Sequence, residues 1–441
     1  MSGHDERNGR YSSDTRHSLI PGGAHTYSRG DDQYPSNAPS LLKSGSGTRV
    51  FDLEGRSFID WGMGLRSVVL GYAEPEVDRA VIDALVQGVN LSRPIELEFE
   101  LAEIVRELVP CAEMVKFGKN GSDATAAAIR LARAVTGRSV VLRSSQDSFL
   151  GVHDWFIGST VMNSGVPYPV RELTKKFEFN DIASVTTLMD EFDGEVAAII
   201  LEPTGAAVPE HNFLEQIRRL TAEKGIVLIF DETITGFRLS LGGAQEYFGI
   251  TPDLATFGKA LGNGYAISAL TGAASIMDLG GIRHSSERVF LMSSTYGSER
   301  VGLAAAKSTI KIMQSTNALE GLRNSAETLM SGVKTLIERY GLGQLISVTG
   351  LDLLPNVSFH DADGIDGLLI KTLLMQEMVK RGVLLAPWFM SISAAHKTTE
   401  IEQTLEALDE TLSWIAVNLE RNLLENALIG ARVAPVFRRF N

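Results

Sequence analysis

Through the middle of the chain, unbroken apolar runs alternate with amphipathic stretches. Val196-Ala197-Ala198-Ile199-Ile200-Leu201 and Ile226-Val227-Leu228-Ile229-Phe230 carry no polar position on either face. That pattern predicts strands covered on both sides. Shorter strands are expected over 114–117 and 140–143. Between them Phe99, Ala102, Ile104, Val105 and Leu108 recur with a helical period. Residues 123–135 read as an alanine-rich helix stopped by Gly137 as its C-cap, and the stretch 213–224 reads as another helix. Strand, helix and strand in this order predict an α/β fold with a mostly parallel central sheet wrapped by helices.

The flanks differ in texture. Residues 1–18 read as a loose polar tail, and the stretch from Pro21 to Ser46 as an irregular arm with turns. Apolar-rich runs on either side of Leu53-Glu54-Gly55-Arg56 predict a hairpin over 49–60. Residues 74–87 predict a helix. After about residue 310, helices over 318–340 and 367–381 surround short strands near 345–349 and 383–385. Thr399 and Glu402 fit a capping box. Ile401, Leu405, Leu408, Leu412, Ile415 and Leu419 then recur every three or four residues. The spacing suits a helix laid on a core, with a coiled-coil seam as the other arrangement it allows. The expected division is an arm and hairpin over 1–73, a large α/β domain over 74–310, and a smaller α+β lobe over 311–441, on which the arm packs.

Composition narrows the chemistry. At 441 residues, with 44% apolar and 22% charged positions, the chain can bury a large core. A formal net charge of −13 argues against nucleic acid and anionic membrane as partners. Cys111 is the one cysteine, which excludes an internal disulfide and suits a reducing cytoplasm. The first 16 residues have no apolar core of a signal peptide, and no apolar run approaches a membrane span. The eight histidines show neither HxH nor HExxH spacing, so no metal site is expected.

One pairing points to a reaction. The buried run 226–230 ends in Asp231, and Lys259 follows 28 residues later between Gly258 and Gly262. The spacing alone would also suit a strand-end acid and a surface lysine. A lysine in tight apolar surroundings can lose its proton near neutrality and hold pyridoxal phosphate as a Schiff base, while an acid pairs with the cofactor's ring nitrogen. A phosphate site is offered where Gly118-Lys119-Asn120-Gly121-Ser122-Asp123 joins a strand to the alanine-rich helix. A plain capping turn with Ser122 or Asp123 as N-cap is the alternative. Phe149 can stack on a flat cofactor or pack in a core. His153-Asp154 reads as an acid–base pair or a structural hydrogen bond. Ser44-Gly45-Ser46-Gly47-Thr48 does not meet the dinucleotide-binding pattern, and there is no P-loop.

With these residues in view, the sequence resembles the class III aminotransferases of fold-type I, in particular the branch of glutamate-1-semialdehyde aminomutase. The likeness runs from about Pro21 to the 400s. It is carried by Pro21-Gly22-Gly23 with Arg29, by Asp52-Leu53-Glu54-Gly55, Leu70-Gly71-Tyr72-Ala73 and Asn120-Gly121-Ser122-Asp123-Ala124. Phe230-Asp231-Glu232-Thr233-Ile234-Thr235-Gly236-Phe237-Arg238 and Pro252-Asp253-Leu254 through Gly258-Lys259 complete it. The resemblance implies that Lys259 carries the cofactor and moves the substrate proton. It implies that Asp231 pairs with the ring nitrogen and that Thr233 lies under the ring. Asn120, Gly121 and Ser122 would bind the phosphate, and Glu202 would sit near the cofactor's hydroxyl. Thr295 would reach the phosphate of a neighbouring subunit, which implies a homodimer. Arg29 aligns with a carboxylate-binding arginine, and Arg66 and His153 are further substrate-side candidates.

The departures are informative. The family's Y-H-G appears as Phe149-Leu150-Gly151, the aminomutase's tryptophan is replaced near Leu65-Arg66-Ser67, and its gating loop is shortened to residues 158–167. The expectation is therefore a cytoplasmic, pyridoxal 5'-phosphate-dependent aminotransferase that passes through the pyridoxamine 5'-phosphate form. It would move an amino group from an amino-acid donor to a keto acid, aldehyde or sugar-like ketone. A 2,1-aminomutase and a catalytically idle homologue are the alternatives.

Overall fold

A computed structural model describes residues 10–387 and 390–440. They form two compact units. One comprises Arg66–Leu70 and Glu74–Glu320; the other comprises the described residues up to Leu65, Gly71–Ala73 and those from Gly321 onward. The first unit is built on β1 (Met114–Gly118), β2 (Val140–Ser144), β3 (Thr174–Phe177), β4 (Val196–Leu201), β5 (Val227–Asp231), β6 (Leu254–Phe257) and β7 (Ser268–Gly272). Their order across the sheet is β1-β7-β6-β5-β4-β2-β3. β7 is antiparallel to both neighbours, with Leu270 opposite Lys116 and Thr256, and the remaining pairs are parallel. The other six strands therefore point the same way and present their carboxyl ends along one edge. The two runs without polar positions, β4 and β5, are buried throughout, as their composition predicts.

The alanine-rich helix runs Gly121–Thr136 and packs on β4, β6 and β7. Buried Ala124, Ala127, Ala128 and Ala132 let it approach the sheet closely. It starts two residues before the expected position, because Asn120 rather than Ser122 or Asp123 is the N-cap. The Asn120 side-chain oxygen accepts from Asp123 N at 3.0 Å. Gly137, at φ +68, ends it in the left-handed conformation that the C-cap requires. The helix Glu96–Leu108 buries Leu101 and Val105 but leaves Phe99 60% exposed, so Phe99 does not belong to its core face. The antiparallel β7 and the edge strand β3 have no apolar periodicity that marks them in the sequence.

In the other unit, Leu42–Ser46, Arg49–Asp52 and Ser57–Asp60 form an antiparallel meander, and Val383–Leu384 adds to it in parallel. The expected hairpin is present. The stretch expected to be irregular ends instead in the strand Leu42–Ser46, whose mostly exposed side chains give no buried face to read. Part of the expected tail is the helix Ser13–Leu19, capped by Ser12; residues 1–9 lie outside the described residues. Ile346–Thr349 pairs with Asn356–Phe359. Helices Ala318–Arg339, Gly367–Lys380 and Thr398–Glu420 supply the rest of the core. The capping contact of the last runs from Lys397 N to Glu400 at 3.0 Å, two residues ahead of the expected Thr399 and Glu402. Ile401, Leu408, Leu412 and Ile415 are buried within this unit, so the helix lies on a core. No described helix is long and apolar enough to cross a membrane.

Candidate active site

The carboxyl edge of the sheet gathers the charged groups. Asp231 ends β5, Glu202 follows β4, Lys259 follows β6, Asp147 follows β2, and Asn120 and Gly121 follow β1. Ligands of open α/β sheets collect at this edge because the connecting turns diverge there. Asp231 is 4% exposed. Its Oδ1 accepts from Thr233 N at 3.0 Å and from Thr256 Oγ1 at 2.9 Å, which leaves Oδ2 outside both bonds. Burial pushes its pKa up, while the adjacent Thr233 hydroxyl, the Thr233 N–H, Thr256 and the Lys259 charge pull the other way.

Lys259 is partly buried and has φ +44, a left-handed conformation that lysine seldom adopts. Burial lowers its ammonium pKa to about 8; Arg66 and Arg238 act in the same direction, and Glu202 and Asp231 oppose them. Glu202 moves the opposite way, up to about 7, through burial and the Asp231 charge. Its backbone N–H donates to Asp147 Oδ2 at 3.3 Å, and Asp147 is itself held well above the ordinary carboxylate range by burial and Glu202. The edge thus holds an amine near its neutral point among acids that resist ionisation.

An anion cradle adjoins this cluster. A Cβ at Gly121 would lie 3.0 Å from Thr233 Oγ1, and one at Gly258 would lie 3.3 Å from Thr233 Cγ2. Only glycine leaves room for Thr233 between these two turns. Thr233 Oγ1 is buried beside the Asp231 carboxylate but makes no hydrogen bond of full geometry among the described residues. Ser122 Oγ accepts from Val152 N at 3.2 Å. The free N–H groups of the helix start and the unanswered hydroxyl suit a phosphate. A lysine amine, a fixed carboxylate and this cradle on one sheet edge are the donor set that pyridoxal phosphate requires, so the residues present fit it.

The other candidates are less closely joined. Phe149 is 47% exposed and meets Phe156 edge-on, with ring centroids 6.0 Å apart. Leu150 is buried, and its carbonyl accepts from Thr125 Oγ1 at 2.7 Å. Thr295 is exposed on a loop and its carbonyl accepts from Asn90 at 3.2 Å. Arg66, at φ +68, lies within the field of Glu202 and Lys259, and burial lowers its pKa to about 10. Arg29 lies in the other unit, exposed at the end of the one-turn segment Tyr27–Arg29. His153 Nε2 lies 3.3 Å from Asp123 Oδ1, so its partner is not the adjacent Asp154.

Three residues were not among the expected site residues. Asp147 lies on a loop without a pattern. Arg238 is fully buried and bonds the Arg66 carbonyl; its place in Thr235-Gly236-Phe237-Arg238 was the available signal. Glu232 is fully buried and accepts from Gln245 Nε2 at 2.9 Å and Thr235 Oγ1 at 3.1 Å. Among the described residues, no group of three His, Cys, Asp or Glu side chains could hold a metal ion.

Comparison with known proteins gives a concordant picture. Residues 32–412 match the family described as aminotransferase class-III. The 3-aminobutyryl-CoA aminotransferase of Cloacimonas acidaminovorans is 33% identical over 405 residues, covering 90% of this chain and 94% of that protein. The glutamate-1-semialdehyde 2,1-aminomutase of Archaeoglobus fulgidus is 34% identical over 417 residues, covering 89% and 96%. Among solved structures, the FumI protein of Sphingopyxis sp. MTA144 in its PLP internal aldimine form has a TM-score of 0.84 at 27% identity, covering 96% of this chain and 100% of that one. An omega-transaminase from Sphaerobacter thermophilus has a TM-score of 0.82 at 25% identity, covering 93% and 97%.

Proposed function

The chain belongs to the class III aminotransferases, and from that premise we propose that it moves an amino group from an amino-acid donor to a small keto acid, aldehyde or sugar-like ketone at the Lys259 site. The family is that of pyridoxal 5'-phosphate enzymes, and fold-type I is the architecture. When bound, the cofactor supplies an aldehyde that accepts amines and a ring that accepts electron density. Lys259 Nζ would anchor it and, when free, is the group placed to accept a proton from the substrate and give it back. Its lowered pKa near 8 suits both roles. Asp231 would accept the ring nitrogen's N–H. Thr233 N and Thr256 Oγ1 fix the carboxylate for that contact. Asn120, Gly121 and Ser122 would hold the phosphate, and Thr233 would lie under the ring. Glu202 would sit near the cofactor's hydroxyl, Phe149 would stack on its ring, and Arg66 and His153 are the substrate-side candidates of this unit. Thr295, on an exposed loop, completes the neighbouring site of a homodimer, and the single Cys111 suits a cytoplasmic setting.

The observation that carries this reading is the convergence of Asp231 and Lys259 beside the unanswered Thr233 hydroxyl. Two-substrate transfer is favoured over intramolecular isomerisation by the short segment 158–167, which stands where the aminomutase has its gating loop. The test follows the cofactor's spectrum in the purified protein with L-glutamate, 3-aminobutyryl-CoA or 4,5-diaminovalerate as donor. Conversion to the amine form by either of the first two, and none by the third, is expected. A response to 4,5-diaminovalerate alone would favour the aminomutase.

A further inference from the structure

We propose that Lys119 is a positioning residue: paired with Glu299, it fixes the span between the phosphate turn and Lys259, the two points at which the cofactor is held. The inference rests on the reading of the site given above. All the groups involved belong to the same unit.

Lys119 stands between the end of β1 and Asn120, where the phosphate turn begins. β1 pairs with β7 so that Gly118 lies opposite Ser268, and the chain entering β7 therefore passes beside Lys119. Lys119 Nζ donates to Ala266 O at 3.1 Å and pairs with Glu299 Oε1. Ala266 closely follows the one-turn segment Lys259–Gly262, to which Tyr265 N is tied by a bond to Gly262 O at 3.0 Å. Glu299 is the N-cap of the helix Arg300–Ser315. Its Oε1 accepts from Gly302 N at 2.9 Å and its Oε2 from Val301 N at 2.8 Å. That helix buries Leu303, Ala305 and Ala306 and packs against the segment Lys259–Gly262. One ammonium thus ties the phosphate turn to the chain that follows Lys259 and to the helix behind it.

The pair is sheltered and closely fitted. Only 20% of the Lys119 side chain and 13% of the Glu299 side chain are exposed, so solvent screens the pair less than it does a surface contact. Burial would raise the Glu299 pKa, but the Lys119 bond and the two backbone donors outweigh it and hold the carboxyl below its ordinary range. A Cβ at Gly302 would stand 2.6 Å from Ala266 O and 2.8 Å from Lys119 Nζ, so glycine is what leaves room for the ammonium there. A helix cap needs only the carboxylate and the backbone donors. The ammonium adds a link between elements. A cofactor held by its phosphate and by a bond to Lys259 can form that bond only where the two supports stand the right distance apart. A cofactor held without that bond is free to follow the turn.

The test compares the two cofactor forms on the full-length protein. Wild type, Lys119→Met, Glu299→Gln and the double variant are equilibrated with pyridoxal 5'-phosphate or pyridoxamine 5'-phosphate, and affinity is read by equilibrium dialysis. Borohydride reduction and peptide mass spectrometry read the share of bound aldehyde attached at Lys259. Lys119→Met should weaken the aldehyde form about tenfold, the scale of one charge-assisted hydrogen bond, and the amine form by less than about threefold. The share attached at Lys259 should fall with it. Glu299→Gln should act in the same direction, and the double variant should be no worse than Lys119→Met, as for two groups that act as a unit. Gly302→Ala, which forces the contact apart and keeps both charges, should reproduce the pattern and stands alone if Lys119→Met does not fold. Equal weakening of both forms, unchanged aldehyde affinity, or additive losses in the double variant overturns the proposal. With wild type labelled at Lys259, any of these leaves the reading of the site intact. Wild type that takes no label at Lys259 overturns that reading and this inference together.

Discussion

Each unit buries an aspartate, and the two are treated in opposite ways. Asp60, 6% exposed, has both oxygens answered: Oδ1 by Gly62 N at 2.8 Å, and Oδ2 by Met63 N at 3.1 Å and Tyr72 Oη at 2.5 Å. Asp231, 4% exposed, takes both of its bonds on Oδ1. Burial raises the pKa of each, but Asp231 also lies in the field of Lys259, whereas hydrogen bonds alone oppose burial at Asp60. Near Asp231 lie an unanswered hydroxyl at Thr233 and a lysine at φ +44. A buried acid whose oxygens are all met by fixed local donors holds a turn together. One left with a spare oxygen beside strain and an opposing charge is arranged for a ligand.

The strongest way to break this contrast is Lys259→Ala. Turnover should fall by at least about 10³-fold, the scale set by losing a positioned acid–base group together with its anchor. The fold should persist, as judged by circular dichroism and the unfolding midpoint. Full activity in this variant would remove the basis of the proposed mechanism.

Exchanging the two acids sharpens it. Asp231→Asn should lower kcat by about 10²-fold, comparable to losing one preorganised electrostatic contact. Its cost in unfolding free energy should stay below about 1 kcal/mol, since Asn can still accept from Thr233 N and Thr256 Oγ1. Asp60→Asn should do the reverse. It sets an amide against donors that need two acceptors, costing about 1–3 kcal/mol in denaturant unfolding while kcat per folded molecule changes little. Similar stability losses in both variants would show that the spare oxygen of Asp231 has no special standing.

Much of this contrast was legible in the sequence, and the reason is local. The strands β4 and β5 are apolar throughout, so their ends, and therefore Glu202 and Asp231, could be placed from composition. Gly121 and Lys259 were marked by the turns and glycines around them. Asp147 and Asp60 were not, because their partners come from separate stretches: Glu202 N lies 55 residues from Asp147, and Tyr72 lies 12 from Asp60. The strand Leu42–Ser46 and the antiparallel β7 escaped for a related reason. Pairing with neighbours, rather than a buried face of their own, makes them strands.

Thr233→Val is a milder probe. It removes a hydroxyl that makes no full hydrogen bond within the protein and keeps the shape between Gly121 and Gly258. Cofactor affinity, measured by equilibrium dialysis, should weaken about tenfold, the value of one hydrogen bond to a charged group. The cofactor-free protein should change little in stability, because loss of an incompletely bonded buried oxygen offsets loss of its favourable contact with Asp231. A stability loss without any change in cofactor affinity would mean that the hydroxyl serves the fold.

The smallest expected effect is a slope. In the cofactor-free protein Lys259 titrates near 8 in place of 10.5. Between those values the unfolded chain binds a proton that the folded chain has released, so stability rises with pH across that window. Below about 8 the penalty of holding the buried ammonium is present in full. Lys259→Met lacks the penalty. Its stability advantage over wild type should be greatest at neutral pH and close as pH approaches 10.5. Glu202 acts in the opposite sense and in a separate window. Raised to about 7 from 4.5, it contributes stability that is complete below 4.5 and is lost as pH rises through about 7. Above pH 8 the difference between wild type and Lys259→Met isolates the lysine; below about 7 the slope belongs to Glu202 together with Glu232, which burial also raises to about 7. Parallel curves for wild type and Lys259→Met above pH 8 would mean that the amine at the sheet edge titrates as an ordinary surface lysine.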